Sequence, residues 1–376
     1  MIGHIIRNLA VVRISSLTYL IIASLVVSSC RKDEKPDVVG TTPYVFEYPE
    51  LIGNYLPPIV EPNDNLTTEE GVELGRLLFF DKRLSGDNTQ SCGSCHIPSA
   101  AFSDTVQYSV GIDGLEGGRN AMPIFNLGWM KDGLFWDGRS NSIEAQAFQP
   151  VTNPVEMHET WPNAVSKIED DVQYQLLFNQ VFGSSEIDSV KVSKAISQFE
   201  RTLISGNAPF DKFLAANFAT GSSGWSEANE LLAYQGFALF MDEEKGDCFH
   251  CHGDAFNPLW TDNIYHNNGL DAVITDKGLG EVTGNSIDDG KFKTPSIRNL
   301  AFTAPYMHDG RFTSLNQVIL HYSIGLQDSP TIDPLMKDVG NGGVQLTPPE
   351  MNQLKWFLLS LSDSSFVENP AFTDPW

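Results

Sequence analysis

Four cysteines of this chain fall into two copies of one frame, Cys92-Gly-Ser-Cys95-His96 and Cys248-Phe-His-Cys251-His252. Two thiols set two residues apart can each form a thioether to a vinyl group. A histidine directly after them is then held beneath the metal of the macrocycle so attached. This is the pattern of covalent c-type haem attachment, with His96 and His252 as proximal iron ligands. Cys-x-x-Cys pairs also build disulfides and zinc sites, but neither use explains a histidine after both pairs. The opposite face of each iron then decides the chemistry: a protein ligand there leaves an electron carrier, and an open position admits a small oxidant.

Three further blocks accompany the frames: Phe135-Trp136-Asp137-Gly138-Arg139, Pro150-Val-Thr-Asn-Pro-Val-Glu156 and Thr303-Ala-Pro-Tyr-Met-His308-Asp-Gly310. In that combination and order, residues 65–361 resemble the bacterial di-haem cytochrome c peroxidase family, and more narrowly its MauG-type branch. The resemblance implies that Glu156 is the carboxylate above the peroxidatic haem, with Gln146 and Pro150 as its neighbours. Splitting a peroxide bond heterolytically needs a base to take a proton from one oxygen and an acid to deliver it to the other, and one glutamate can do both. Taken alone, Glu156 reads as a solvated loop charge. Trp136 matches the tryptophan lying between the two haems, although a lone Trp reads as core. Asn120, Thr303 and Pro305 match a calcium site of one side-chain amide and two backbone carbonyls, a donor set suited to a hard cation. Arg298 is expected to pair with a haem propionate, or else to lie on the surface.

The chain departs from the classical peroxidases at two positions. Where they place a second histidine, sixteen residues after the proximal one, this sequence has Ile112, and no histidine lies between His96 and His158. The N-terminal haem is therefore expected to rest with an open site, and His158 to sit at the pocket edge. The second departure is Tyr322, fourteen residues after His308, where classical members supply methionine. Tyr322 is thus the expected axial ligand of the haem held by His252, in preference to Met307 or His321. A core tyrosine is the alternative. An anionic phenolate favours oxidised iron and lowers the potential, whereas methionine raises it.

The elements that must position these residues are helical. Thr67-x-x-Glu70 reads as a capping box opening a helix with Leu74, Leu77 and Leu78 on one face. A second helix is expected over Asp188–Leu203, and a third from Ser226 toward the second frame. Ser314-x-x-Gln317 caps a helix that puts Leu315, Val318, Ile319 and Tyr322 on one face and His321 off it. Thr347-Pro-Pro-Glu350 opens a closing helix. No alternating strand pattern competes. The expectation is an all-α fold of two cytochrome c-like domains, each with one covalent c-type haem: 59–224 N-terminal and peroxidatic, 225–376 C-terminal and electron-transferring.

The first 30 residues read as a signal peptide: Arg7 and Arg13 precede an apolar run of 11 residues, Leu17 to Val27, where a membrane span needs about 20. Val27-Ser-Ser-Cys30 resembles a lipoprotein cleavage box, which would make Cys30 a lipid anchor at the periplasm or cell envelope; an ordinary signal peptide is the alternative. Residues 31–58 read as a tether, and His266 as a surface residue without a role. With 48 acidic and 24 basic residues the formal charge is −24, which disfavours nucleic acid and suits a small basic electron donor. The expected function is reduction of hydrogen peroxide with electrons passed from an external donor through the C-terminal haem. The alternatives are oxidation of residues of a partner protein, as the MauG resemblance implies, and a non-catalytic dihaem electron carrier.

Overall fold

The computed structural model describes residues 40–220 and 228–376, the side chains at 217–230 excepted. The signal peptide, Cys30, Ser226 and most of the expected boundary segment near residue 224 lie outside the described residues. Ten helices carry the site: α1 Glu50–Tyr55, α2 Glu69–Phe80, α3 Ile143–Ala147, α4 Gln149–Thr152, α5 Val172–Phe182, α6 Ser189–Thr202, α7 Pro209–Thr220, α8 Ala228–Phe240, α9 Leu315–Leu320 and α10 Pro348–Ser360. Among the described residues strands are confined to one antiparallel pair, β1 Tyr265–His266 with β2 Phe292–Lys293. Among the described residues no helix is long and apolar enough to cross a membrane.

The local signals explain most helix ends. Asp188 accepts from the Lys191 N–H to start α6. Ser314 and Gln317 form a capping box at α9, as do Thr347 and Glu350 at α10, with Pro348 at the first helical position. At α2 the cap is Thr68, whose hydroxyl accepts from the Gly71 N–H, and not Thr67. Glu70 does not close a box with Thr67 because its carboxylate is taken by the backbone N–H and hydroxyl of Thr42. The folded part therefore reaches back to Thr42, inside the stretch read as tether. Within the stretch read as tether, α1 buries Leu51 and Ile52 at 1% exposure each.

Each half is built on the same helix crossing. In the first, α2 packs on α6 so closely that a Cβ on Gly75 would stand 2.0 Å from the Ala195 carbonyl oxygen. In the second, α8 packs on α10, and a Cβ on Gly236 would stand 2.0 Å from the Gln353 carbonyl oxygen. Only glycine permits backbones that near. The second core also holds Leu51 and Phe210, while Phe366 and Phe372 from the end of the chain pack into the first core with Phe79, Phe102 and Phe199. A buried polar knot joins the segments that cross over. Asp363 Oδ2 accepts from the Gly206 and Asn207 N–H groups at 3.0 and 2.9 Å, and the Asp363 N–H donates to Asn299 Oδ1 at 2.9 Å.

Candidate functional site: two cavities joined at a tryptophan

The first Cys-x-x-Cys-His frame is one helical turn, Cys92–Cys95, capped by Ser91 and Ser94. Both thiols and His96 line a cavity of about 540 Å³, within the ~300–1,000 Å³ of ligand pockets. None of the four frame cysteines is in a disulfide. His96 Nδ1 lies 2.8 Å from the Phe102 carbonyl oxygen. Donation there fixes the tautomer and leaves the lone pair on Nε2, the form a metal needs. Burial lowers the His96 pKa and so keeps the ring neutral.

Glu156, Gln146 and Pro150 line this same cavity; Gln146 comes from α3 and Pro150 from α4. The turn after α4 is built by Asn153. Its Oδ1 accepts from the Val155 N–H, its backbone carbonyl from the Glu156 N–H, and its Nδ2 donates to Glu156 Oε1 at 2.7 Å. Burial raises the Glu156 pKa, while Asn153 and Arg139 pull it back. Burial therefore makes the protonated form easier to reach than in a free glutamate, while Asn153 and Arg139 favour the carboxylate. No histidine besides His96 lines the cavity among the described residues. Ile112 donates its N–H to the Glu156 carbonyl, and Gly111 presses against Val155 with no room for a Cβ. His158 is exposed and bonded to Asp113, away from the cavity lining where its edge position was expected.

The second frame lies on the turn Phe249–His252. Cys248, Cys251 and His252 line a cavity of about 210 Å³ together with Tyr322 and Met307. Burial depresses His252 to about 4, and its Nδ1 is buried with no hydrogen-bond partner. A neutral imidazole beside two thiols outside any disulfide fits the haem that the frame encodes. After α9 the chain widens into a π-helical turn over His321–Gly325, and Tyr322 still shares the cavity with Leu315, Val318 and Ile319. His321 does not line it; its Nε2 lies 3.2 Å from the Asn268 carbonyl. The Tyr322 hydroxyl accepts from Asn268 Nδ2 at 3.1 Å, and burial pushes its pKa up to about 12. The same Asn268 amide lies 3.6 Å from Met307 Sδ.

Trp136 is 8% exposed, lines both cavities, and donates its indole N–H to the Asn120 carbonyl at 2.8 Å. Its flanking block has physical reasons: Asp137 receives Arg119 and Arg139, Arg139 lies over the Phe135 ring, and a Cβ on Gly138 would strike the Tyr265 hydroxyl. Asn120, Thr303 and Pro305 all line the second cavity. Asn120 Nδ2 donates to the Val106 and Gln107 carbonyls, which turns its carbonyl oxygen outward from those bonds and leaves it able to ligate a cation.

Arg298 stands away from both cavities. It is fully buried and lines neither cavity; its two terminal nitrogens donate to Asp211 at 2.7 and 2.8 Å, and its Nε donates to the Pro258 carbonyl. Asp211 of α7 supplies the bidentate anion that a propionate was expected to supply. His266 also differs from expectation. It is no surface residue: it lines the second cavity, with Nε2 2.8 Å from Asp262 and Nδ1 2.5 Å from Asp333, and the Asp262 bond leads the causes that raise its pKa. Sequence reasoning also missed Glu200. It stands 2% exposed in the first cavity, with Oε2 unpartnered and burial raising its pKa to about 8.

The family described as di-haem cytochrome c peroxidase matches residues 69–218. The methylamine utilization protein MauG of Methylorubrum extorquens is 39% identical over 74% of this chain and 76% of its own length. The cytochrome c551 peroxidase of Nitrosomonas europaea is 35% identical over 69% and 75%. A crystal structure of a MauG-like protein associated with microbial copper homeostasis superposes with a TM-score of 0.76 at 33% identity, over 89% of this chain and 99% of that one.

Proposed function

Because this chain belongs to the di-haem cytochrome c peroxidase family, with MauG proteins among its relatives, we propose that it reduces hydrogen peroxide to water in the first cavity. The haem on Cys92, Cys95 and His96 supplies an iron that accepts peroxide and the electrons that break its O–O bond. The observation that carries the reading is Glu156: a buried carboxyl, oriented by Asn153, in the same cavity as a neutral and anchored His96. As a carboxylate it takes a proton from one peroxide oxygen, and as the acid it returns that proton to the leaving oxygen. Gln146 and Pro150 hold the walls beside it. His252 and Tyr322 would hold the second haem, which would supply electrons taken from an external donor, and Trp136, lining both cavities, would carry them between the two. Asn120, Thr303 and Pro305 hold calcium. The protein works in the periplasm, tethered by lipid at Cys30, and its charge of −24 suits a basic donor.

One observation favours a second reading. Tyr322 stands in the second cavity at the position where classical members supply methionine, and a tyrosine ligand lowers the potential at which that haem takes electrons. A MauG-like role, oxidising residues of a partner protein, would use the same first cavity. Peroxide turnover measured with reduced cytochrome c and with candidate protein substrates separates the two. A resting electron paramagnetic resonance spectrum with both haems low-spin would defeat either enzyme reading in favour of an electron carrier.

A further inference from the structure

A haem periphery carries two carboxylates, and a buried carboxylate needs a cation or several donors beside it. Four lysines and arginines line the two cavities: Arg119, Arg139, Lys293 and Lys337. Arg119 is committed to Asp137 and Asp276, Arg139 to Asp137, and Lys337 to Asp247. Lys293 differs. It lines both cavities at 4% exposure, and among the described residues no carboxylate lies within ion-pair distance of its amine. Asp132 and Asp262 act on it only from farther away. Its Nζ donates to Asn263 Oδ1 at 2.5 Å and contacts the Asn263 carbonyl at 3.4 Å, so at least one of its three N–H groups remains unassigned. The fold spends backbone to hold it there. The Lys293 N–H donates to the Trp136 carbonyl at 2.8 Å, and β2 pairs Lys293 with Tyr265 of β1, whose ring lies 5.3 Å from the amine.

From this placement we infer that Lys293 is a carboxylate-binding residue at the seam of the two cavities, taking a haem propionate as its missing anion. The inference rests on the reading that both cavities hold haems. Lys293 thereby does the work that the sequence suggested for Arg298, and it fixes a haem edge against the backbone of Trp136. A cation paired with a propionate stabilises the reduced, more negative form of the haem, so it raises the midpoint potential. The sign is testable.

The test uses the complete di-haem protein, its Lys293→Met and Lys293→Arg variants, haem counting by pyridine haemochrome, and spectroelectrochemical titration. We expect two haems in all three proteins. In Lys293→Met the midpoint potential of at least one haem falls, and in Lys293→Arg both stay near those of the parent. Unmoved potentials in Lys293→Met, or an equal fall in Lys293→Arg, overturn the assignment. If Lys293→Met does not accumulate with two haems, Lys293→Gln carries the same expectation and the same refutation. A parent without covalent haem would instead overturn the reading beneath it; two haems with unmoved potentials would overturn Lys293 alone.

Discussion

Replacing Glu156 by glutamine isolates one proton. The amide is nearly isosteric, and Asn153 Nδ2 can still donate to the side-chain oxygen it meets at 2.7 Å, so packing around the turn should survive. What disappears is a group able to accept and return a proton. A positioned acid–base group is worth about 10²–10⁴-fold in rate, which corresponds to about 2.7–5.4 kcal/mol of barrier. The pH profile sharpens the test. The base must be ionised to begin the reaction, and burial raises its pKa above that of a free glutamate, about 4.3. Turnover should therefore fall on the acid side at a pH above the usual carboxylate range. Asn153→Ala removes the bond that favours the carboxylate, so its acid limb should move to higher pH. Steady-state peroxide consumption with a reduced c-type cytochrome reads both variants. Turnover of Glu156→Gln within a few-fold of the parent, with the acid limb in place, would refute the assignment.

Three other outcomes are expected. Intact mass should show two haems that survive acid–acetone extraction, and Cys95→Ala should lose thioether attachment at that frame while sparing the other. Tyr322→Phe should keep the fold and change the spin state of the second haem in absorption and magnetic resonance spectra; an unchanged second haem would reject Tyr322 as its ligand. Gly236→Ala puts a Cβ 2.0 Å from the Gln353 carbonyl oxygen, and the helices must separate. Overpacking of this kind costs about 1–3 kcal/mol, read as a lower denaturant midpoint, and Gly75→Ala should match it in the first half.

What the sequence disclosed was what adjacent residues decide. The haem frames, the boxes at Ser314 and Thr347, and the turn of Tyr322 into the second cavity each depend on spacings of four residues or fewer. What it concealed was decided across the chain. Arg298 meets Asp211 across 87 positions, and nothing near either residue marks the partner. His266 has one partner, Asp262, four positions away, but its second, Asp333, stands 67 positions off, and only the fold turns the pair onto a cavity wall. Glu200 sits on a helix whose apolar face was legible, yet a carboxyl facing that interior is visible only once the cavity exists. Thr67 and Thr68 were equally good caps by type. Thr42, 28 positions before Glu70, drew away the carboxylate on which a box at Thr67 depended.

The crossed chain ends set an order of assembly. Phe102 lies against Phe366 and Phe372 at ring separations of 5.9 and 6.4 Å, so the first core receives side chains from residues 366–372. A chain emerging from its amino terminus cannot close that core until residues 366–372 have followed. Both cysteine frames thus emerge while the first half is still loose, a state in which a folded tertiary wall does not bar the thiols from haem. Removing residues 363–376 should leave the first half open after synthesis ends. Limited proteolysis would then cut that truncated protein within residues 69–203 and spare the full chain.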